Sequence, residues 1–304
     1  MKTKKVRGSA LISALFIMTL VVIAATAIST RLQFDIYRTH LMLASDQLLL
    51  ASQAVNFWAT ETLKESNEHE FPLAFPKRLQ LIYPNVRIKG ELHDLQARFN
   101  INNLRDPKFH PLFLAWLGKS IKESVSNNTE HLLAITYWIA PFQSGRGQDQ
   151  YLNYYLKRPT PYLPSYQAMQ SPSELRLIQG ITKRTYQRIL ASLIALPETT
   201  PINITTVPKE FISTLGLGLK DSEVDALLQA REVKDGSRVE KINQLLHEFN
   251  IPMFEVTTKS TYFLSVATVV SDSLNLTVYT VIKRIKDRNN QIAVSIIRQS
   301  FNTL

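Results

Sequence analysis

Residue types able to do chemistry are present in this chain, but their spacing does not assemble them. The six histidines, His40, His69, His93, His110, His131 and His247, show no pair at metal-ligand separation, and neither a nucleophile elbow nor a phosphate loop occurs. There is no cysteine, which removes disulfides, thiolate metal sites and cysteine nucleophiles. No residue is assigned a catalytic role. One arrangement could hold an anion: Leu215-Gly-Leu-Gly-Leu-Lys220, ahead of a helix from about Asp221, contains a Gly-x-Gly turn that can aim backbone N–H groups at a phosphate. The same glycines also have a purely structural use, since they allow positive φ and close helix approach.

Together with Pro201-Ile-Asn-Ile-Thr-Thr-Val-Pro-Lys-Glu210, this turn resembles a helix-hairpin-helix. A weaker relative precedes it, with Leu175 to Ile178, Gly180 at the turn and a helix from Thr182. Charge separates the two uses. Residues 171–258 hold 10 basic and 11 acidic side chains, whereas duplex binding typically neutralises about 6 to 10 phosphates. Asp221, Glu223 and Asp225 also stand where phosphates would approach Gly218. The expectation is a hairpin scaffold without nucleic acid; a membrane-anchored helix-hairpin-helix DNA-binding or uptake protein is the alternative.

The elements that would carry such a scaffold begin with an apolar N-terminus. Of the formal charge of +10, four charges come from Lys2, Lys4, Lys5 and Arg7, and the remaining excess is mild. Gly8 to Thr30 carries no charge. At ~1.5 Å per residue this segment forms a helix about 34 Å long, enough for a hydrocarbon core of about 30 Å. The basic residues ahead of it keep the N-terminus in the cytoplasm and send the bulk of the chain outside. A cleaved secretory signal is the other reading, with Ala25-Thr26-Ala27 as small residues, although the usual apolar region is only about 7 to 15 residues.

Beyond the charge-free segment, Leu41, Ala44, Leu48, Ala51, Val55 and Trp58 recur in steps of three and four, one stripe of a helix. With no proline before Pro72, a single helix from Ser9 to about Lys64 is expected, roughly 80 Å long. Residues 85–100 alternate at Val86, Ile88 and Leu92, then shift phase to Leu95, Ala97 and Phe99, which predicts a strand with a break or bulge. Three alternating segments, 261–270, 274–285 and 291–301, predict a meander. The region between reads as helical, with capping boxes at Ser171-Pro-Ser-Glu174 and Ser237-Arg-Val-Glu240. The 45% hydrophobic content supports a real core. The expected class is α+β: an N-terminal transmembrane spine helix, an antiparallel sheet, and a large inserted all-helical domain with helix-hairpin-helix-like segments. Two separate domains fit the pattern as well.

The junction Arg7-Gly8-Ser9-Ala10-Leu11 looks like a type IV prepilin leader, in which prepilin peptidase cuts after the glycine and the apolar helix stays in the protein. In order along the chain follow Asp94-Leu-Gln-Ala-Arg-Phe-Asn-Ile-Asn-Asn-Leu104, Ser173-Glu-Leu-Arg-Leu-Ile-Gln-Gly180 and Pro201-Ile-Asn-Ile-Thr. Together they resemble the minor pseudopilin K family of type II secretion, also called general secretion pathway protein K. The resemblance implies a leader over 1–8 with cleavage between Gly8 and Ser9, and methylation. It implies a transmembrane helix over 9–30, a discontinuous pseudopilin domain over 31–100 and 259–304, and an inserted helical domain over 101–258. It further implies a single pass in the bacterial inner membrane with the C-terminal bulk in the periplasm, and a non-enzymatic place at the pseudopilus tip with minor pseudopilins I and J. If Ser9 is the mature N-terminus, Ser13 holds the fifth position, where stacking pilin-like subunits generally carry glutamate. Calcium is associated with the family and wants several oxygen ligands. In the loop Trp138-Ile-Ala-Pro-Phe-Gln-Ser-Gly-Arg-Gly-Gln-Asp149, Asp149 is the single carboxylate and hence the one metal candidate.

Overall fold

A computed structural model describes residues 9–65, 71–80, 82–83, 85–121, 124–142, 149–234, 236–271, 274–286 and 291–303. The first helix, α1 (Ser9–Lys64), runs unbroken for 56 residues. It contains neither proline nor glycine, so nothing interrupts its hydrogen-bond ladder. Threonines in its apolar half satisfy themselves: Thr26 Oγ1 donates to the Val22 carbonyl at 2.7 Å and Thr30 Oγ1 to the Thr26 carbonyl at 2.8 Å.

The strands β1 (Leu73–Ala74), β2 (Arg87–Asp94), β7 (Tyr262–Val270), β8 (Asn275–Lys286) and β9 (Ile292–Phe301) form one antiparallel sheet in that order. The second half of α1 lies on one face. Its stripe of Leu48, Ala51, Val55, Ala59 and Leu63 is buried against Val86, Ile88, Leu92, Phe263, Ala267 and Ile282. Leu48, Ala51 and Val55 were legible as a stripe; Trp58 is only partly buried, and the seam continues through Ala59 and Leu63. Gly90 allows the close approach, because a Cβ there would lie 2.5 Å from Val55 Cγ1 and 2.8 Å from Phe75 Cβ.

Between β2 and β7 the chain builds α2 (His110–Ile121), α3 (Val125–Ile139), α4 (Asp149–Leu156), α5 (Lys183–Ile189), α6 (Lys209–Ile212), α7 (Asp221–Arg231) and α8 (Arg238–Glu248). Their shared core includes Phe99, Phe113, Trp116, Trp138, Leu175, Phe211 and Leu227. The expectation of helices alone needs refinement. Two-residue parallel ladders join β3 (Phe99–Asn100) to β4 (Leu193–Ile194) and β5 (Ile202–Asn203) to β6 (Val256–Thr257). A small cluster of Leu95, Ile194, Leu196, Tyr262, Leu264 and Val281 seats this region on the sheet.

The meander stands where periodicity put it, but the expected broken strand over 85–100 does not. Strand β2 ends at Asp94, whose side chain accepts the Gln96 N–H at 2.8 Å and closes a 3₁₀ turn over Leu95–Ala97. Phe99 and Asn100 then pair outside the main sheet. The phase shift thus marks an exit from the sheet. The Ser171 capping box forms but opens a 3₁₀ segment, Pro172–Leu177. Helix α8 starts beside Ser237, yet Ser237 makes no side-chain cap, since its φ of −85° and ψ of −5° are helical where a capping residue needs an extended backbone.

Candidate functional site

The segment from Asp94 to Leu104 crosses from the sheet into the helical region, and its polar side chains are buried. Gln96, Asn100, Asn102 and Asn103 are each 3% exposed or less. Buried amides without partners would each cost about 1 to 3 kcal/mol, so the hydrogen bonds decide what the segment does. Asn103 donates to the Thr200 carbonyl at 2.8 Å and accepts the Thr200 N–H at 3.0 Å. Asn102 donates to the Met169 and Leu196 carbonyls and accepts the Met169 N–H. Asn100 accepts the Leu196 N–H at 3.0 Å and donates to the Glu198 carbonyl at 2.7 Å.

Asp94 and Gln96 extend this clasp to the returning chain. Asp94 Oδ2 accepts from Asn203 Nδ2 (2.8 Å), Thr206 Oγ1 (2.6 Å) and Ser260 Oγ (2.7 Å). Gln96 donates to the Pro201 carbonyl at 2.8 Å, and its carbonyl oxygen accepts from Thr261 and Tyr262. Three stretches far apart in sequence are thereby tied at the point where the helical region leaves and rejoins the sheet. Lys283 on β8 adds an ion pair with Glu198, which holds the ammonium's pKa above its ordinary value. The sequence singled out 94–104 and 201–205 but not their union: Asn203 lies 109 residues from Asp94. Thr200 and Ser260 carry no local signal.

The second feature is the free half of α1. Every residue from Ala10 to His40 is exposed, including Leu15, Phe16, Val21 and Ile23 at 55% or more. Its hydropathy and length suffice to cross a membrane. Apolar residues continue past the charge-free segment as Leu32, Phe34, Ile36, Tyr37, Met42 and Leu43, so this face suits lipid and neighbouring helices alike.

The Gly-x-Gly turn is closed to phosphate. Gly216 and Gly218 have φ of 57° and 122°, so glycine is needed for the backbone itself. The Gly218 N–H donates to the Leu215 carbonyl at 2.9 Å, and the Gly216 N–H to Glu255 Oε2 at 3.3 Å. A carboxylate of the protein therefore occupies the position that an anion would need. Burial raises the Glu255 pKa, opposed by that N–H.

The remaining candidates do not come together. His40 and His247 are exposed, His93 lies 3.0 Å from Glu91, His110 Nε2 lies 3.0 Å from the Leu104 carbonyl, and His131 is buried. His69, Gly8 and the loop 143–148 fall outside the described residues. Ser9 opens α1 and Asp149 opens α4, with their side chains outside the described part. Among the described residues no three His, Asp or Glu gather to hold a metal, so no calcium site is assembled from them.

A long, half-bare apolar helix laid on an antiparallel sheet defines a class, the pilin-like subunit, here with a large helical region set between two strands. Residues 97–198 match the family model described as Type II secretion system (T2SS), protein K. The chain is 27% identical over 227 residues to type II secretion system protein K of Aeromonas hydrophila, covering 67% of this chain and 68% of that one. It is 26% identical over 246 residues to the putative protein K of Escherichia coli K12, covering 74% and 75%. It also matches a solved chain of the GspK-GspI-GspJ complex from enterotoxigenic Escherichia coli, with a TM-score of 0.65 and 20% identity over 88% of this chain and all of that one. Residues 97–198 thus match a type II secretion system protein K domain, the fold is similar to that of the solved chain, and the resemblance read from the sequence holds. Protein K is a structural pseudopilin family and not an enzyme family.

Proposed function

We propose that this chain is the minor pseudopilin at the tip of the type II secretion pseudopilus, where it helps initiate assembly and the export of folded proteins across the outer membrane. Prepilin peptidase cleaves it between Gly8 and Ser9. Residues 9–30 then anchor it as a single pass in the inner membrane, with residues 31–304 in the periplasm. The pseudopilin domain is discontinuous, 31–100 and 259–304, with 101–258 inserted. Counterparts of I and J, the companions named in the solved complex, are its partners; nucleic acid is not.

The observation that carries this reading is the bare apolar half of α1 joined through the Asp94–Asn103 clasp to a protein K domain. Two features favour the tip. Ser13 offers no charge to a neighbouring subunit's N-terminal ammonium, an attraction worth far more in an apolar bundle than in water. The helical region adds bulk that would collide with a subunit stacked directly above. Mass spectrometry of the mature protein should find an N-terminus at Ser9 on a membrane-bound chain, and the chain should co-purify stoichiometrically with I and J. A soluble mature protein starting near Ile28 would sink the proposal.

A further inference from the structure

Within the clasp one charged side chain is left over. Asp94, Gln96, Asn100, Asn102 and Asn103 all have side-chain partners, whereas the Arg98 guanidinium has neither a hydrogen bond nor an ion pair among the described residues. It is not solvated surface either. Arg98 is half-buried, and desolvation pulls its pKa below the ordinary arginine value. Its nitrogens are not sealed off, so a charge partly withdrawn from water stays open to a partner from outside.

What surrounds it is a cleft of about 730 Å³. Two further cations line this cleft, and both are fixed in place. Lys119 Nζ donates to Ser213 O at 2.7 Å and to its Oγ at 3.0 Å, and Arg188 Nη1 donates to the Ile121 carbonyl at 3.0 Å. Glu210 is the one carboxylate among the described lining residues, and it is exposed. Trp116 and Phe211, stacked 5.7 Å apart and each 3% exposed, belong to the core beneath the cleft and give it a rigid floor.

We propose that this cleft is a docking site for an acidic peptide segment of a partner protein, with Arg98 receiving a carboxylate. A guanidinium presents a planar fork that a carboxylate matches with two parallel hydrogen bonds. Lys119 and Arg188, having committed donors to backbone carbonyls, contribute mainly field. One free fork suits a singly charged carboxylate better than a phosphate, which takes several donors. The site does not depend on where the chain sits in a pseudopilus, and nothing in the proposed function assigns it.

The test uses the full chain in detergent at about 0.15 M salt, where weak surface attraction is screened. A dye-labelled peptide, acetyl-Phe-Asp-Leu-Glu-amide, is titrated by fluorescence anisotropy against its Asn/Gln twin. The acidic peptide should bind at least about tenfold more tightly than the twin, and Arg98→Gln should lose about tenfold or more, as expected for a charge-assisted bond. Arg98→Lys keeps the charge without the fork and should weaken binding several-fold, which preserves the test if Arg98→Gln fails to fold. Equal binding of both peptides, or wild-type affinity in both variants, would overturn the site. Displacement by inorganic phosphate at concentrations below the peptide's own Kd would overturn its assignment to a carboxylate.

Discussion

At the scale of single residues, the side chains that matter most here are buried amides and two buried carboxyls, Asp94 and Glu255. Asn103 is fully buried and holds both backbone groups of Thr200, so Asn103→Ala strands a donor and an acceptor at once. The expected loss is about 2 to 4 kcal/mol, read as a lower midpoint in denaturant unfolding. Glu255 makes a pH-dependent prediction. Its folded pKa is raised above 4.5 by burial, so its protonated form is the one the fold favours. That contribution is complete below about the unfolded value and is lost as pH rises through the raised one. Glu255→Gln, which keeps an acceptor for the Gly216 N–H and removes the charge, should gain in Tm relative to wild type near pH 8. The margin should narrow as pH falls towards 5, and a margin independent of pH would show the buried charge to be of no consequence.

Among the elements, α1 has two halves with different environments, and its packing on the sheet depends on one glycine. Gly90 faces Val55 and Phe75 with no room for a methyl group. Gly90→Ala should cost about 1 to 3 kcal/mol through overpacking, and Val55→Ala in the same chain should recover part of it. Thermal unfolding of both variants checks this; full stability of Gly90→Ala alone would mean that the spine shifts freely on the sheet. The helix-hairpin-helix region shows the reverse relation between likeness and role. Its glycines adopt the left-handed backbone such a turn requires, while Glu255 fills the anion's place.

For the molecule as a whole, the pairing of Asp94 with Phe263 matters most, because it brings the two ends of a long excursion to adjacent strands. A large helical region can then hang from the sheet without parting its strands, and the Asp94–Gln96 bonds stiffen the joint. With that bulk carried beside the spine, and with Ser13 neutral, immunogold labelling of sheared pseudopili should mark one end. Regular labelling along the filament would show that the helical region does not exclude subunits above it.

The long helix, the meander and the helical character of the middle were determined by sequence alone, because apolar periodicity at 3.6 and 2 residues is a local signal. The absence of proline and glycine from Ser9 to Lys64 was equally decisive for the spine. Tertiary structure decided what depends on residues distant in the chain. The phase shift after Leu92 read as a flaw within a strand, yet Asp94 turns the chain out of the sheet to meet Asn203 and Ser260. Nothing near Gly216 announces Glu255, and nothing near Arg98 announces Lys119 and Arg188 across a cleft. Periodicity records which face of an element is buried; which side chain answers a buried polar group is set only when segments a hundred residues apart are brought together.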